Sequence, residues 1–277
     1  MIQFVAEPYG REGFDAFLRS LLVADWKSTE GPLRLSADLS LADLAEADFF
    51  LNARLFLAAL AEEGGATATA TGNLNRVFVG RMFDRLKLLP PCRESTRRFC
   101  KVVNEQDVWP LHLARVVSEC ARLVARRKKR FHLTKGGRAL LPEDKAGALY
   151  RALFLAYFRR FDLRYDFHLR DVPGIQATMA AILWRLDTVA RDWTPVRGLG
   201  PHILLPGVLS QMREAMTYVY DTEEWILAGY LLDPLFDLGL IETKKGDKWS
   251  NVTEKDAIRV TALWQKFIRF AWNGDVQ

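Results

Sequence analysis

The chain of 277 residues is poor in cysteine, with only Cys92, Cys100 and Cys120 and no CxxC pair. An odd, scattered set argues against a disulfide scaffold and fits a reducing, cytoplasmic compartment. Long apolar runs are missing too. The longest uncharged stretches, Val172–Trp184 and Gly198–Met212, fall short of the roughly 20 residues that a membrane-crossing helix needs. The opening MIQFVAEPYGREGF contains Glu7 and lacks the basic-then-apolar order of a secretory leader. There is no GxSxG elbow, no GxxxxGK(S/T) phosphate loop and no GxGxxG fingerprint. Gly136-Gly137, Gly198 and Gly200 then read as turn signals, and neither an enzyme, a cofactor nor a metal centre is expected.

Net charge is small, 39 Lys+Arg against 34 Asp+Glu, but it is unevenly placed. Arg93 to Arg138 holds 13 basic and four acidic residues, a balance of +9, while the rest of the chain is at −4. Concentrated positive charge attracts phosphate-rich partners. The plainer reading is a solvated face kept soluble by lysine and arginine.

Helical spacing dominates the pattern. Phe14, Phe17, Leu18, Leu21 and Leu22 predict an amphipathic N-terminal helix. A second helix is expected from a cap near Ser40 to Gly64-Gly65. A third, capped by Asn73, carries Leu74, Val77, Phe78, Met82 and Leu86 to a stop at Pro90-Pro91. Phe99–Val103 reads as a short strand, and a further helix spans about Asp107 to Val124 with Pro110 in its first turn. Tyr150, Phe154, Tyr157, Phe158 and Phe161 form a core stripe, as do Trp264, Phe267, Ile268, Phe270 and Trp272 at the C-terminus.

The most informative stretch is Arg122 to Leu141. Phe131 and Leu133 alternate with Arg130 and His132 as in a half-buried strand. The order is helix, strand, basic turn, strand, then Thr134 capping another helix. This FxLTKxGRxLL grammar resembles the wing of bacterial winged helix-turn-helix proteins. It recurs at Leu231–Glu242, a turn at Lys244–Asp247, and Ala257–Thr261 before a helix from Ala262.

The resemblance implies a mainly α protein. An N-terminal helical extension (1–44) would precede a first winged-helix-like unit with the basic wing (45–142). A linking aromatic helix and charged loop (143–171) would lead to a second such unit (172–277). The segment Leu89–Gln106 departs from the family pattern by separating two helices that a tight turn ordinarily joins.

Duplex DNA is the partner this implies. Wing residues Arg126, Arg127, Lys128, Lys129 and Arg130, with His132, would meet phosphates or a minor groove. Asn75, Arg76 and Arg81 would reach bases or backbone from the third helix, for which Asn73 is simply the cap. A second candidate reading face lies on the helix before the wing, at Trp109, His112, Arg115, Ser118 and Arg122. The rival reading is a protein-interaction module, binding a protein partner or a second copy, that reuses the shape without touching bases. Asp162–Asp171 gathers three carboxylates and His168. Interleaved Arg164 and Arg170 predict local ion pairs there rather than a metal or acid–base site.

Overall fold

The computed structural model describes residues 10–165, 170–244 and 252–271. Helix α1 (Gly10–Leu22) turns Phe17 and Leu21 into the core, and strand β1 (Leu33–Leu35) follows. Ser40 does not open the next helix. Its N–H and hydroxyl both donate to Asp43 Oδ2, at 2.9 and 2.7 Å, closing a local turn. Helix α2 (Asp48–Glu62) begins after that turn and buries Phe49, Phe50, Phe56, Leu57 and Leu60. Gly64 and Gly65, at φ 65° and 113°, then swing the chain into β2 (Ala66–Thr67), a conformation that costs glycine little.

Helix α3 (Arg76–Arg85) leads to α4 (Pro90–Phe99), a 3-10 turn at Glu105–Asp107 and α5 (Trp109–Cys120). Two expectations are corrected here. Pro90-Pro91 opens a helix rather than ending one, because proline in a first turn sacrifices no intrahelical hydrogen bond. The strand expected at Phe99–Val103 is absent, since α4 runs through Phe99. Strands β3 (Val124–Arg127) and β4 (Arg130–Leu133) form the basic hairpin, and Thr134 caps α6 (Lys135–Ala139) as predicted.

Helix α7 (Ala146–Arg159) carries four rings of the aromatic stripe and Phe161 follows just beyond it, and all five rings are buried. The stripe runs through the core beside Phe267, which meets Tyr150 and Phe154 at 4.8 and 4.9 Å between ring centroids. Beyond it come α8 (Pro173–Ala177), α9 (Met179–Val189), β5 (Thr194–Pro195), α10 (Gly200–Ile203) and α11 (Pro206–Ala215). Next is α12 (Glu223–Leu227), continued by a π turn at Ala228–Leu232 into α13 (Asp233–Asp237). Strands β6 (Ile241–Lys244) and β7 (Ala257–Val260), α14 (Ala262–Phe267) and β8 (Ile268–Phe270) complete the described chain. The turn residues Lys245–Asp247, together with Trp272, Asp166 and His168, lie outside the described residues.

The result is a mainly helical protein with three small antiparallel sheets among the described residues. Two of them share a topology. The order β2–β4–β3 recurs as β5–β7–β6, each with a helix before its first strand, further helices after it, and a closing hairpin.

The match extends to single hydrogen bonds. Leu123 N–H donates to Ser118 O at 2.9 Å, as Leu240 N–H donates to Leu235 O at 2.9 Å. Arg122 and Gly239, at φ 61° and 71°, occupy the same left-handed position just before these leucines. Thr134 and Thr261 donate their hydroxyls back to Arg122 O and Gly239 O, at 2.9 and 2.7 Å. Each also accepts from the N–H three residues on, capping a helix.

The third sheet was not expected: β1 pairs with β8, Leu33 opposite Phe270 and Leu35 opposite Ile268. Together with Phe14 and Phe17 packing on Trp184, each at 5.3 Å, it ties the N-terminal segment to the second repeat.

Candidate nucleic-acid interface

The basic hairpin is built on a short register, Val124 opposite Leu133 through Arg127 opposite Arg130. Val124, Phe131 and Leu133 point into the core, which fixes the register because a one-residue slip would turn them to solvent. Strand β2 supports the tip from the side, with Ala66 opposite Phe131 and Thr67 opposite Arg130, and Ala68 N–H donates to Lys129 O at 2.8 Å.

Lys128 and Lys129 are the two residues of the turn itself, at φ 48° and 57°. Both lie in the left-handed region that type I′ hairpin turns ordinarily fill with Asn-Gly. The five predicted tip residues, Arg126 to Arg130, are all exposed. They do not form one face, because alternation sends Arg127, Arg130 and the half-buried His132 to one side and Arg126 to the other. Arg126 lies over the Thr69–Gly72 turn, so close that a Cβ on Gly72 would stand 2.2 Å from its Nη1. Arg130 donates to Gly65 O at 3.2 Å and keeps its exposure.

The start of α3 is brought next to this hairpin through Thr67. Asn75 N–H and Nδ2 both donate to Thr67 O, at 3.0 and 3.1 Å. Its Oδ1 accepts from Phe78 N–H at 3.0 Å. Asn75, not Asn73, is therefore the helix cap, and its amide is occupied at both ends by that role. Arg76 is exposed and donates to Asn104 Oδ1 at 2.9 Å. Arg81 is turned aside, its guanidinium paired with Glu63 through contacts of 3.2 and 2.5 Å.

The second candidate reading face is not available. His112, Arg115 and Ser118 are buried, leaving only Trp109 and Arg122 of that set in solvent. The cause is Glu105, itself only 1% exposed. It accepts from Arg115 Nε at 2.6 Å, from Leu74 N–H, and meets His112 Nδ1 at 2.7 Å. His112 Nε2 in turn reaches Tyr165 Oη at 2.9 Å, with its ring stacked on Tyr165. Burial pushes the Glu105 carboxyl up, but His112, the Arg115 charge and the Leu74 N–H outweigh it and hold the group below its ordinary range. A carboxylate that the sequence places within the basic segment thus serves as an internal anchor, and its charge does not interrupt the exposed surface.

In the charged loop, the expected local ion pairs form among the described residues. Arg164 meets Asp162 at 2.9 Å and Asp171 at 3.2 Å. Arg170 turns to Asp221 instead, with two hydrogen bonds of 2.9 and 2.8 Å.

The second hairpin differs in charge. Where the first sets Ala125 opposite His132, the second sets Glu242 opposite Arg259, and these two form an ion pair at 2.7 Å.

With the α-rich fold, its repeated three-stranded sheets and one strongly basic hairpin defined, the chain can be compared with known proteins. Residues 45–148 are similar to the Y4jL N-terminal domain family, a match running from the turn before α2 into the first turn of α7. No curated protein and no solved structure matches the chain.

Proposed function

We propose that this chain is a nucleic-acid-binding, regulator-like protein made of two winged-helix-like units, and that it holds duplex DNA by phosphate contacts from the basic hairpin. The topology β2–β4–β3 with a preceding helix and closing hairpin, repeated at β5–β7–β6, supports the two-unit reading. The observation that carries the function is the turn at Lys128-Lys129. Two cations sit where the backbone disfavours any residue with a Cβ, and local turn chemistry is overridden to hold charge at the tip.

Arg126, Arg127 and Arg130 flank them, and Arg76 stands at the start of α3, which Asn75 joins to Thr67 opposite Arg130. Arg81 is withdrawn from the set by Glu63. Burial of α5 removes the second candidate reading helix, and in α3 the Asn75 amide serves as cap while Arg81 pairs with Glu63, which together favour recognition of backbone and shape over base edges.

The same burial favours one competing reading, a winged-helix-shaped protein-interaction module. Retention of a short mixed-sequence duplex separates the two. DNA binding predicts retention at low salt that weakens steeply as salt rises and is lost when residues 126–130 are made neutral. A folded wild-type protein that fails to retain the duplex at about 50 mM salt overturns the proposal in favour of the interaction module.

A further inference from the structure

The segment that separates α3 from α5 leaves a cavity of about 300 Å³, open on one side and bounded by α2, α4 and the start of α5. Phe49, Phe83 and Leu113 line it, and Trp109, 42% exposed, also borders it. That volume lies at the lower end of the range of about 300–1,000 Å³ usual for small-molecule sites. Its walls are firm. Asn52 uses both ends of its amide on the Lys87 backbone, at 3.0 and 2.8 Å, locking α2 to the end of α3.

The covering element is anomalous. Helix α4 has ten residues and buries none of them. Helices of this length draw their stability from packing an apolar face, which α4 lacks. Polar tethers hold it to the end of α3: Arg93 to Phe83 O and Leu86 O, at 2.5 and 2.7 Å, and Arg97 to Asp84 at 3.0 Å. A helix without buried side chains, standing over a preformed apolar cavity, has the packing arrangement of a cover whose contents complete it.

The polar groups around the cavity select the ligand. Three carboxylates, Asp48, Asp107 and Asp237, line it against one ammonium, Lys87. Lys87 is held by Asp48 at 2.7 Å. Asp107 draws its hydrogen bonds from neutral donors: Asn104 N–H at 2.7 Å, Asn104 Nδ2 at 3.0 Å and the Cys100 thiol. A carboxylate that meets no cation among the described residues, next to an indole ring and an apolar wall, suits an ammonium carried on an apolar body.

We infer that the cavity beneath α4 is a binding site for a small amphiphilic cation, an amine with an aromatic or branched aliphatic body. Asp107 receives the ammonium, and the apolar wall together with the underside of α4 receives the body.

Cys92 provides the readout, since it lines the cavity and is exposed, whereas the half-buried Cys120, at the far end of α5, does not line it. The full-length protein is alkylated with iodoacetamide, and labelling is followed at each cysteine by peptide mass spectrometry. The expected result is that 2-phenylethylamine slows Cys92 labelling in proportion to occupancy, about fivefold at four times its dissociation constant, and leaves Cys120 unaffected. The similarly sized 3-phenylpropionate gives no protection. Asp107→Asn keeps the oxygen that Asn104 uses and raises the amine concentration for half-protection about tenfold. Thr96 lines the cavity from α4, so Thr96→Trp fills it from that side and abolishes protection without changing the wall residues of α2 and α5. Lack of protection by the amine, equal protection by the carboxylate, or protection unaltered in both variants overturns the inference. Loss of protection in Thr96→Trp with Asp107→Asn unaltered overturns the cationic ligand class.

Discussion

A side chain in the left-handed basin costs about 1–2 kcal/mol per residue relative to ordinary backbone, and the hairpin tip holds two such side chains in succession. Replacing Lys128-Lys129 with Asn-Gly should raise the stability of the protein by about 1–2 kcal/mol. The same change should lower its affinity for duplex DNA. Urea unfolding and duplex retention would then move in opposite directions, whereas a hairpin serving only solubility would show the first effect without the second.

Glu105 gives the opposite case, a charged residue whose work is internal. Glu105→Gln leaves the buried Arg115 and His112 short of their carboxylate and should cost about 3 kcal/mol at neutral pH. Because the native Glu105 carboxyl lies below its unfolded value of about 4.3, its contribution is fully present above that pH. The contribution is lost as pH falls through the lower native value. Urea midpoints measured from neutral pH down into that range should therefore converge for wild type and variant. Parallel curves would show that Glu105 acts by shape alone.

At the scale of elements, the left-handed residue that ends the helix before each hairpin is Arg122 in one repeat and Gly239 in the other. Arg122→Gly should stabilise by about 1 kcal/mol. Gly239→Ala should destabilise by about 2–3 kcal/mol, and Gly64→Ala, also at positive φ, by only about 1 kcal/mol. The difference arises because a Cβ at Gly239 would stand 3.2 Å from the backbone of Ala47, whereas nothing lies within 4 Å at Gly64. Thermal unfolding of the three variants tests the contact between the second hairpin and the start of α2.

These elements also show what the sequence could disclose. The basic hairpin, the caps Thr134 and Thr261 and the buried stripe of α7 were legible because each rests on local spacing. Strands β2 and β5 were not, since two residues carry no period, and each exists only through its partner. Helix α4 was hidden because its Pro-Pro start also reads as a stop, and it has no apolar face to reveal it. In the candidate interface, the exposure of residues 126–130 followed from the pattern, but Asn75 as cap and Arg81 beside Glu63 did not. Burial of α5 is tied to Glu105, which joins His112 and Arg115 of that helix to Leu74, 31 residues away in sequence.

For the whole molecule, the first repeat gathers five cations at its hairpin tip, while the second hairpin pairs Glu242 with Arg259. If all five tip cations meet phosphates, the logarithm of affinity should fall with the logarithm of salt at a slope near −4.5. This is about a 500-fold loss between about 50 and 200 mM. Neutralising Lys244 and Arg259 should leave that slope unchanged, and duplex titrations at several salt concentrations check both expectations.

The pairing of Leu33–Leu35 with Ile268–Phe270 has a temporal consequence. A ribosome releases the early strand long before its mate exists, at about 5–20 residues per second some 10–50 s sooner. During that interval the nascent Leu33–Leu35 segment presents an unmatched apolar edge to the cell, so chaperone demand should concentrate there until Ile268–Phe270 emerges and pairs with it.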